Sequence, residues 1–198
     1  MFMGFAARYP CCSRWLRGVT GAFLLAALAL YGVAVAQRAH LEAPPPTPIL
    51  LDRHGYFLAQ FGATITGADG VRRTEYGYWP LETLPERVAT ATVALEDRRF
   101  WSHPGVDALA ILRAGWQAAR SGRVRSGAST LAMQIVRMQH PAPRTLWNKA
   151  VEAGAAIVLT QRYERDALLR HYLQIAPYGN GSHGIAHAAR WYFDKPAA

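Results

Sequence analysis

The sequence predicts a mainly α-helical domain with a small N-terminal β-hairpin, preceded by one transmembrane helix. Three observations lead to this prediction. An uncharged apolar run covers residues 18–36, two short strand-like runs flank a turn within residues 49–61, and apolar residues recur at intervals of three and four from Leu84 onward. With 198 residues, 51% of them hydrophobic, the chain is long enough for one compact domain beyond the first helix.

The apolar run at residues 18–36 is predicted to be a transmembrane signal-anchor. At about 1.5 Å per residue, its helical length is close to the roughly 30 Å hydrocarbon core of a bilayer. Arg8, Arg14 and Arg17 precede it without any acidic residue among them. By the positive-inside rule, residues 1–17 are therefore cytoplasmic and everything after Gln37 is exported.

A cleaved signal peptide is the alternative interpretation of this run. Ala34-Val35-Ala36 fits the small-x-small pattern of a cleavage site. The apolar region of a signal peptide is usually shorter, about 7 to 15 residues, which favours the uncleaved anchor. Both cysteines, Cys11 and Cys12, precede the run, so the exported domain is predicted to contain no disulfide.

The chain is basic, with 22 lysines and arginines against 13 acidic residues and a net charge of +9. Most of this excess lies beyond the anchor, so the exported domain favours anionic partners. Nucleic acid is not the expected partner, because an exported domain meets little of it. Anionic lipid headgroups and lipid-linked phosphates lie beside such a domain at the membrane surface.

The segment after the anchor is predicted to be a stiff proline-rich linker over residues 37–48. Residues 49–51 and 56–61 then read as the two strands of a hairpin around a turn at 52–55, and a further short strand is expected near residues 73–79.

The remainder of the domain, within residues 49–198, reads as helices separated by glycine-rich loops. The first helix is expected over residues 84–100, where Leu84, Val88, Ala91 and Leu95 fall on one face. The others are expected at residues 106–120, 129–139, 144–162 and 165–175, and from residue 184. Flexible loops are expected at residues 121–127 and 177–184.

Two adjacent acids, Glu96 and Asp97, stand where the first of these helices is expected to end. A half-buried carboxylate at such a point could act as a general base, because desolvation raises its pKa toward neutrality. The alternative is a solvated helix end at which the two acids face Arg98 and Arg99. His103 follows shortly after, but without a second ligand at zinc-like spacing it is more simply a structural histidine than a metal ligand.

Arg144, Asn148, Lys149 and Glu152 are spaced three and four apart, so they are expected on one helical face. That face could bind an anion, or Lys149 and Glu152 could form an ordinary surface pair worth about 0.3 kcal/mol.

The second candidate anion site is a predicted helix start at residues 127–130. Unpaired N–H groups at a helix start attract phosphate, although Ser129 there could equally be an N-cap. Gln134, on the following helix, could hydrogen-bond a sugar.

Five stretches together resemble the peptidoglycan glycosyltransferases, the family 51 transglycosylases of bacterial cell-wall synthesis that include part of the class A penicillin-binding proteins. Residues 96–105 match E-D-x-x-F-x-x-H-x-G at every fixed position, and residues 127–134 resemble G-x-S-T-x-x-x-Q. Residues 144–152 resemble R-T-x-x-x-K-x-x-E, residues 169–173 resemble L-x-x-Y-L, and residues 184–195 fit the fifth motif. Residues 51–55 and the wording of the second motif look most like the penicillin-binding protein 1C branch.

The resemblance implies a lysozyme-like fold with a membrane-dipping jaw, in a single-pass protein of the bacterial inner membrane. It implies polymerisation of lipid II with release of polyprenyl pyrophosphate and inversion at the anomeric carbon. Glu96 would be the catalytic base, and Glu152 the second catalytic carboxylate, with a divalent cation, Mg²⁺ or Mn²⁺, near it. Substrate binding would fall to Asp97, Phe100, His103, Ser129, Thr130, Gln134, Arg137, Arg144 and Lys149. Other cell-wall synthesis proteins are candidate partners.

The sequence departs from the family pattern at three positions and at its end. Met133 stands where many members have glutamine, Asn148 where many have arginine, and Gln174 where the fourth motif usually has asparagine. The chain stops at residues 196–198, before the closing helices that the resemblance implies and before any transpeptidase domain. Two other functions are therefore weighed: a catalytically inactive, truncated scaffold of the cell-wall machinery, and a lysozyme-like muramidase.

Overall fold

The computed structural model describes residues 10–67, 70–121 and 128–197, with side chains from residue 19 onward. Residues 1–9 of the predicted cytoplasmic segment and residues 122–127 of the first glycine loop lie outside the described residues. The chain divides into two compact units, residues 1–37 and 38–198. Mainly helical structure with a few short strands is confirmed.

The described part of the first unit belongs to one helix, α1, at Pro10–Arg38. It extends beyond the predicted run at both ends, and its proline lies in the first turn, where a missing N–H costs no hydrogen bond. Within it, Val19–Arg38 is long and apolar enough to cross a membrane, a property that signal sequences share. The leucine and phenylalanine side chains of this stretch are exposed, as lipid-facing residues would be.

The second unit begins with a segment, residues 39–48, that contains no helix or strand and is hydrogen-bonded to the domain near both of its ends. Thr47 is buried, and its hydroxyl accepts a hydrogen bond from the Gly77 N–H at 2.8 Å. The Trp79 indole N–H donates to the Thr47 carbonyl, and Arg162 donates to the carbonyl of the buried Ala39. These partners are distant in sequence, so the composition of the linker alone did not predict the hydrogen bonds.

The predicted hairpin is present. Strand β1, Ile49–Leu51, pairs antiparallel with β2, Phe57–Gln60. The turn between them is closed by Asp52, whose Oδ1 accepts from the N–H groups of His54 and Tyr56 at 2.8 Å each. An aspartate that bonds its own following backbone in this way is typical of a tight turn.

A second sheet contains β3, Ala63–Thr66, β4, Arg72–Gly77, and β5, Ser182–His183. Strand β4 corresponds to the strand expected near residues 73–79, and it pairs antiparallel with β3 and parallel with β5. Strand β3 was not predicted, because its single large apolar residue, Ile65, gives no alternating pattern. Strand β5 has two residues and depends on a pairing more than a hundred residues away along the chain.

Six helices follow within the residues that the structure describes, close to the predicted ranges. They are α2 at Glu86–Glu96, α3 at Ala108–Ser121, α4 at Leu131–Gln139, α5 at Leu146–Arg162, α6 at Arg165–Ile175 and α7 at Ile185–Phe193. Helices α4 and α5 each start two residues later than expected, because Thr130 and Thr145 are their N-caps. Helix α4 packs against both α5 and α6, and the core there includes Leu131, Ile135, Leu159 and Leu169.

His171, on the buried face of α6, makes folding stability depend on pH. Its Nε2 forms a hydrogen bond with Gln139 Oε1 at 3.0 Å, and burial lowers its pKa from the ordinary 6.5 to about 4. Between these values the unfolded chain binds a proton that the folded domain excludes. The contribution of His171 to stability is therefore complete above pH 6.5 and is lost as the pH falls toward 4, by up to about 3 kcal/mol.

We expect the free energy of unfolding, measured in denaturant between pH 7.5 and pH 4.5, to fall less steeply in His171→Gln than in the wild type. The matched control is His54→Gln, because His54 is exposed at the hairpin turn. Equal slopes in the wild type and His171→Gln would show that His171 is not the group responsible.

Candidate active site

Glu96 is the last residue of α2, and its side chain is exposed. The Gln134 side-chain amide donates to Glu96 Oε2 at 3.0 Å. Within the described part of the chain, the other carboxylate oxygen has no hydrogen-bond partner. The half-buried acid expected at this helix end is therefore not Glu96, which is an accessible carboxylate held in place through one of its two oxygens.

The buried acid is its neighbour, Asp97. The carboxylate oxygens of Asp97 lie 2.9 and 3.0 Å from His103 Nε2, and Oδ2 also accepts from the Leu131 N–H at 3.0 Å. The Gly105 N–H donates to His103 Nδ1, so the ring carries its proton on Nε2 and donates it to Asp97. Asp97 and His103 thus connect the end of α2, the following loop and the start of α4. The solvated pair with Arg98 and Arg99 is not formed: Arg99 pairs with Asp107 at 3.1 Å.

Phe100 is completely buried and fixes the middle of the same loop. The Arg165 guanidinium of α6 lies 5.3 Å from its ring centroid and also donates to the His103 carbonyl. Burial lowers the pKa of Arg165, and the Asp97 carboxylate opposes that shift. Sequence reasoning did not identify Arg165, because no local pattern relates it to a loop more than sixty residues earlier.

Thr130, rather than Ser129, is the N-cap of α4. Its hydroxyl donates to the Gly105 carbonyl at 2.6 Å and accepts from the Met133 N–H at 3.3 Å. Together with the bond from the Leu131 N–H to Asp97, this occupies N–H groups that were expected to bind a phosphate. Asp97, Phe100, His103 and Thr130, all predicted to bind substrate, are buried, and hydrogen bonds of Asp97, His103 and Thr130 hold the loop and the helix in place.

The predicted cations converge on one pocket of about 260 Å³. We call it the cation pocket; its lining includes Ser129, Arg137, Arg144, Asn148, Lys149 and Glu152. Three positive charges face one carboxylate, and no ion pair of these four charged side chains is found among the residues that the structure describes. Cations left without an internal partner favour an anionic ligand.

Arg144 reaches the cation pocket from outside α5, which corrects the predicted helical face. The chain bends at Thr145, whose hydroxyl accepts from the Asn148 N–H at 3.1 Å, and helix α5 begins at Leu146. The Asn148 side-chain amide donates to the Pro143 carbonyl at 2.9 Å and fixes the bend. Lys149 and Glu152 lie on the helix, three residues apart as predicted.

Glu96 and the cation pocket adjoin each other along α4. Gln134, which bonds Glu96, and Arg137, which lines the pocket, are three residues apart on that helix, so their Cβ atoms are about 5 to 6 Å apart. Tyr172 of α6 interacts electrostatically with both Glu96 and Arg137. Burial raises its pKa to about 12, Glu96 adds to this rise and Arg137 opposes it. Tyr172 therefore stays protonated beside the site, a role the sequence analysis did not assign.

Comparison with known proteins identifies the family. The family model of the transglycosylases matches residues 62–198, a range that contains every site residue above. The chain belongs to the transglycosylase family. It is therefore a glycosyltransferase by family, as the sequence predicted.

Curated transglycosylase relatives cover most of the chain. Penicillin-binding protein 1C of Escherichia coli is 34% identical over 93% of this chain, in agreement with the predicted branch. Biosynthetic peptidoglycan transglycosylases of Rhodospirillum centenum and Aeromonas hydrophila are 35% and 33% identical, and the matches cover 71% and 76% of their lengths. The match to penicillin-binding protein 1C spans only 23% of that protein.

The three departures from the family pattern each have a structural explanation. Met133 is buried in an apolar cluster with Ala132 and Ala156, where a thioether packs without needing a hydrogen-bond partner. Gln174 donates from its side chain to the Tyr78 carbonyl at 3.0 Å. Asn148 holds the bend at Pro143, as described above.

Gly105 allows the loop after Glu96 to pack against α5. Its φ is +98°, and a Cβ there would lie 2.4 Å from the Ala156 carbonyl oxygen. We expect Gly105→Ala to lower the free energy of unfolding by about 2 kcal/mol or more, through backbone strain and overlap. Denaturant titration measures this change.

The control is Gly115→Ala in α3, where a Cβ would meet no atom within 4 Å. There alanine should stabilise the helix by up to about 1 kcal/mol. Similar effects of the two substitutions would contradict the proposed packing of the loop.

Proposed function

We propose that this chain polymerises lipid II into glycan strands at the outer face of a bacterial inner membrane, releasing polyprenyl pyrophosphate. The observation that carries the proposal is the placement of an accessible carboxylate, Glu96, beside a pocket whose three cations form no ion pair among the described residues. A base and an anion site are what glycosyl transfer from a pyrophosphate donor requires. The names of the curated relatives, among them biosynthetic peptidoglycan transglycosylases, support this substrate class.

In the proposed reaction, Glu96 accepts the proton of the acceptor sugar's 4-hydroxyl. The hydroxyl oxygen attacks the anomeric carbon of the donor, the bond from that carbon to the pyrophosphate oxygen breaks, and the configuration inverts. Gln134 holds one oxygen of Glu96 by a hydrogen bond and leaves the other available for the proton.

The leaving pyrophosphate needs charge stabilisation more than protonation. Arg137, Arg144 and Lys149 of the cation pocket would provide it, with Ser129 as a hydroxyl ligand. Glu152, one turn after Lys149 and half-buried, would orient the lysine and limit repulsion between the cations.

The predicted divalent cation near Glu152 is not required by these residues. The described part of the chain contains no group of three or more histidine, cysteine, aspartate or glutamate side chains that could hold a metal. Glu152 is the single carboxylate that lines the cation pocket. One carboxylate among three cations does not fit a resident Mg²⁺ or Mn²⁺ site, so we assign no step to a metal.

The membrane part of the proposal rests on two apolar surfaces. Helix α1 would be the signal-anchor, with its N-terminus cytoplasmic. Helix α3 exposes Leu109, Leu112 and Trp116 to 59%, 68% and 66%, and Arg120 lies over the Trp116 ring. Exposed leucine and tryptophan beside arginine fit an interfacial helix that dips into anionic lipid, as the resemblance implied. Other cell-wall synthesis proteins remain proposed partners.

A lysozyme-like muramidase is less well supported by this geometry. Hydrolysis would use two carboxylates flanking the glycosidic bond. The acid next to Glu96 is Asp97, which is buried and bonded to His103 and Leu131. An inactive scaffold is distinguished from the proposed enzyme only by measurement.

We expect Glu96→Gln in the detergent-solubilised full chain to reduce lipid II polymerisation by about 100-fold or more, because the general base is lost. Glu86→Gln, at the opposite end of α2, should leave the rate unchanged, and thermal unfolding should show both variants folded. Unchanged polymerisation in Glu96→Gln would refute the assigned role. Glycan release from preformed sacculi would indicate the muramidase, and an inactive but folded wild type the scaffold.

Replacement of Lys149 by methionine tests the cation pocket. We expect kcat to fall by about 100-fold, since the charge on the leaving group loses a stabilising cation, and Lys149→Arg to recover part of the loss. Arg170→Met removes an exposed cation of α6 outside the pocket and serves as the control. Equal losses in Lys149→Met and Arg170→Met would show that general surface charge, not the pocket, is responsible.

A further inference from the structure

The hairpin turn at residues 51–55, singled out in the sequence by its resemblance to one branch, has no part in the site around Glu96. Together with α7 it encloses a second pocket of about 590 Å³. We call it the aromatic pocket; its lining includes His54, Tyr56, Phe57, Trp79, Arg190 and Trp191. It shares no lining residue with the cation pocket.

The walls of the aromatic pocket are held by specific contacts. Arg190 donates to the Gly55 carbonyl at 3.2 Å and so joins α7 to the hairpin turn. The buried His187 lies 2.7 Å from both Gln60 Oε1 and Ser182 Oγ. The Trp191 ring is stacked on His187, with centroids 6.3 Å apart and planes at 10°, and it meets Phe57 edge-on at 6.0 Å.

The apolar part of this lining is aromatic and accessible. Tyr56, Trp191 and Phe57 are 71%, 48% and 36% exposed, and apart from Gly55 the pocket has no aliphatic lining residue. Aromatic faces carry negative quadrupole charge, so they attract the weakly positive C–H groups of a ring lying flat on them. A lipid chain or an apolar helix would be expected to contact leucine or isoleucine as well.

The polar part of the lining is close to neutral. Arg190 and Asp194 form an ion pair at 3.6 Å, which balances the formal charges of the pocket. An anion would find no excess positive charge here, in contrast with the cation pocket. The pocket therefore suits a neutral molecule with C–H faces for the rings and several hydroxyl groups for His54, Arg190 and Asp194. A sugar ring has both features.

We propose that the aromatic pocket binds a saccharide unit of a glycan strand, at a site separate from Glu96. Only the identification of the strand as the source of the sugar rests on the proposed function. The site would give the domain a second contact with a polymer whose reacting end lies at the cation pocket. Trp191 provides the stacking face, and the Arg190–Asp194 pair hydrogen-bonds the hydroxyl groups.

The test measures binding of tetra-N-acetylchitotetraose, a soluble amino-sugar oligomer, to the full chain by calorimetry and saturation-transfer NMR. The detergent must contain no sugar headgroup, because a maltoside would compete for the pocket. We expect saturation of aromatic protons to transfer to the sugar C–H protons. We expect binding about tenfold weaker in Trp191→Leu and largely retained in Trp191→Phe.

The matched control is Phe193→Ala, which removes a ring that is 72% exposed on the same helix but does not line the pocket. It should bind like the wild type. If Trp191→Leu is not folded, Tyr56→Leu provides the same comparison at the exposed hairpin turn. Wild-type affinity in the leucine variant, or no binding by the wild type, would overturn the proposal.

The variant Glu96→Gln separates this site from the proposed function. It should keep full affinity for the oligosaccharide while it loses polymerisation. If the wild type binds the oligosaccharide but does not polymerise lipid II, the proposed function is rejected and the saccharide site is not. Binding that is lost in Glu96→Gln would place the saccharide at the catalytic cleft and reject the separate site.

Discussion

The active-site region depends on one buried carboxylate, that of Asp97. Burying a charge is costly unless hydrogen bonds replace its hydration, and here His103 and the Leu131 N–H do so. The second of these bonds also places the negative charge at the N-terminus of α4, where the helix dipole stabilises it. Because Asp97 joins the end of α2 to the start of α4, Glu96 and Gln134 come within hydrogen-bond distance. The buried carboxylate is thus Asp97, and Glu96 beside it stays exposed.

The period of the apolar residues was sufficient to predict the helices, and the residues of the turn were sufficient to predict the hairpin. Helix α6, at Arg165–Ile175, was predicted with its observed bounds, since its apolar residues repeat at three and four, charged residues mark its start and Pro177 follows its end. Helices α4 and α5 were predicted two residues too early. At α4 both Ser129 and Thr130 suit an N-cap and only the backbone decides which one caps, and at α5 the N-cap Thr145 leaves Arg144 outside the helix. The resemblance named Glu96, Gln134, Arg137 and Lys149 as candidates. In the structure Glu96 ends α2 and is bonded to Gln134 of α4, and Arg137 of α4 and Lys149 of α5 line one pocket.

The same motifs could not separate residues that contact a ligand from residues that hold those residues in place. Asp97, His103 and Thr130 occupy fixed positions of the motifs, yet their side chains are buried. Asp97 is hydrogen-bonded to His103, and Thr130 is hydrogen-bonded to the loop that contains His103. A polar side chain is buried by elements that are distant in sequence, so a local sequence pattern cannot predict its burial. Arg165 and Tyr172 show the converse, because neither was predicted to have a role in the site. From α6, Arg165 contacts Phe100 and His103, and Tyr172 interacts electrostatically with Glu96 and Arg137.

The cation pocket places like charges together at a cost in stability. Arg137, Arg144 and Lys149 line one small cavity with only Glu152 to offset them, and like charges at this distance repel each other. Elsewhere the domain does pair its charges, as Arg99 does with Asp107 and Arg190 with Asp194. A bound pyrophosphate would relieve the repulsion and would be held most strongly as its charge develops during bond cleavage. The same cations, which form no ion pair within the described part of the chain, would therefore lower the barrier to the proposed reaction.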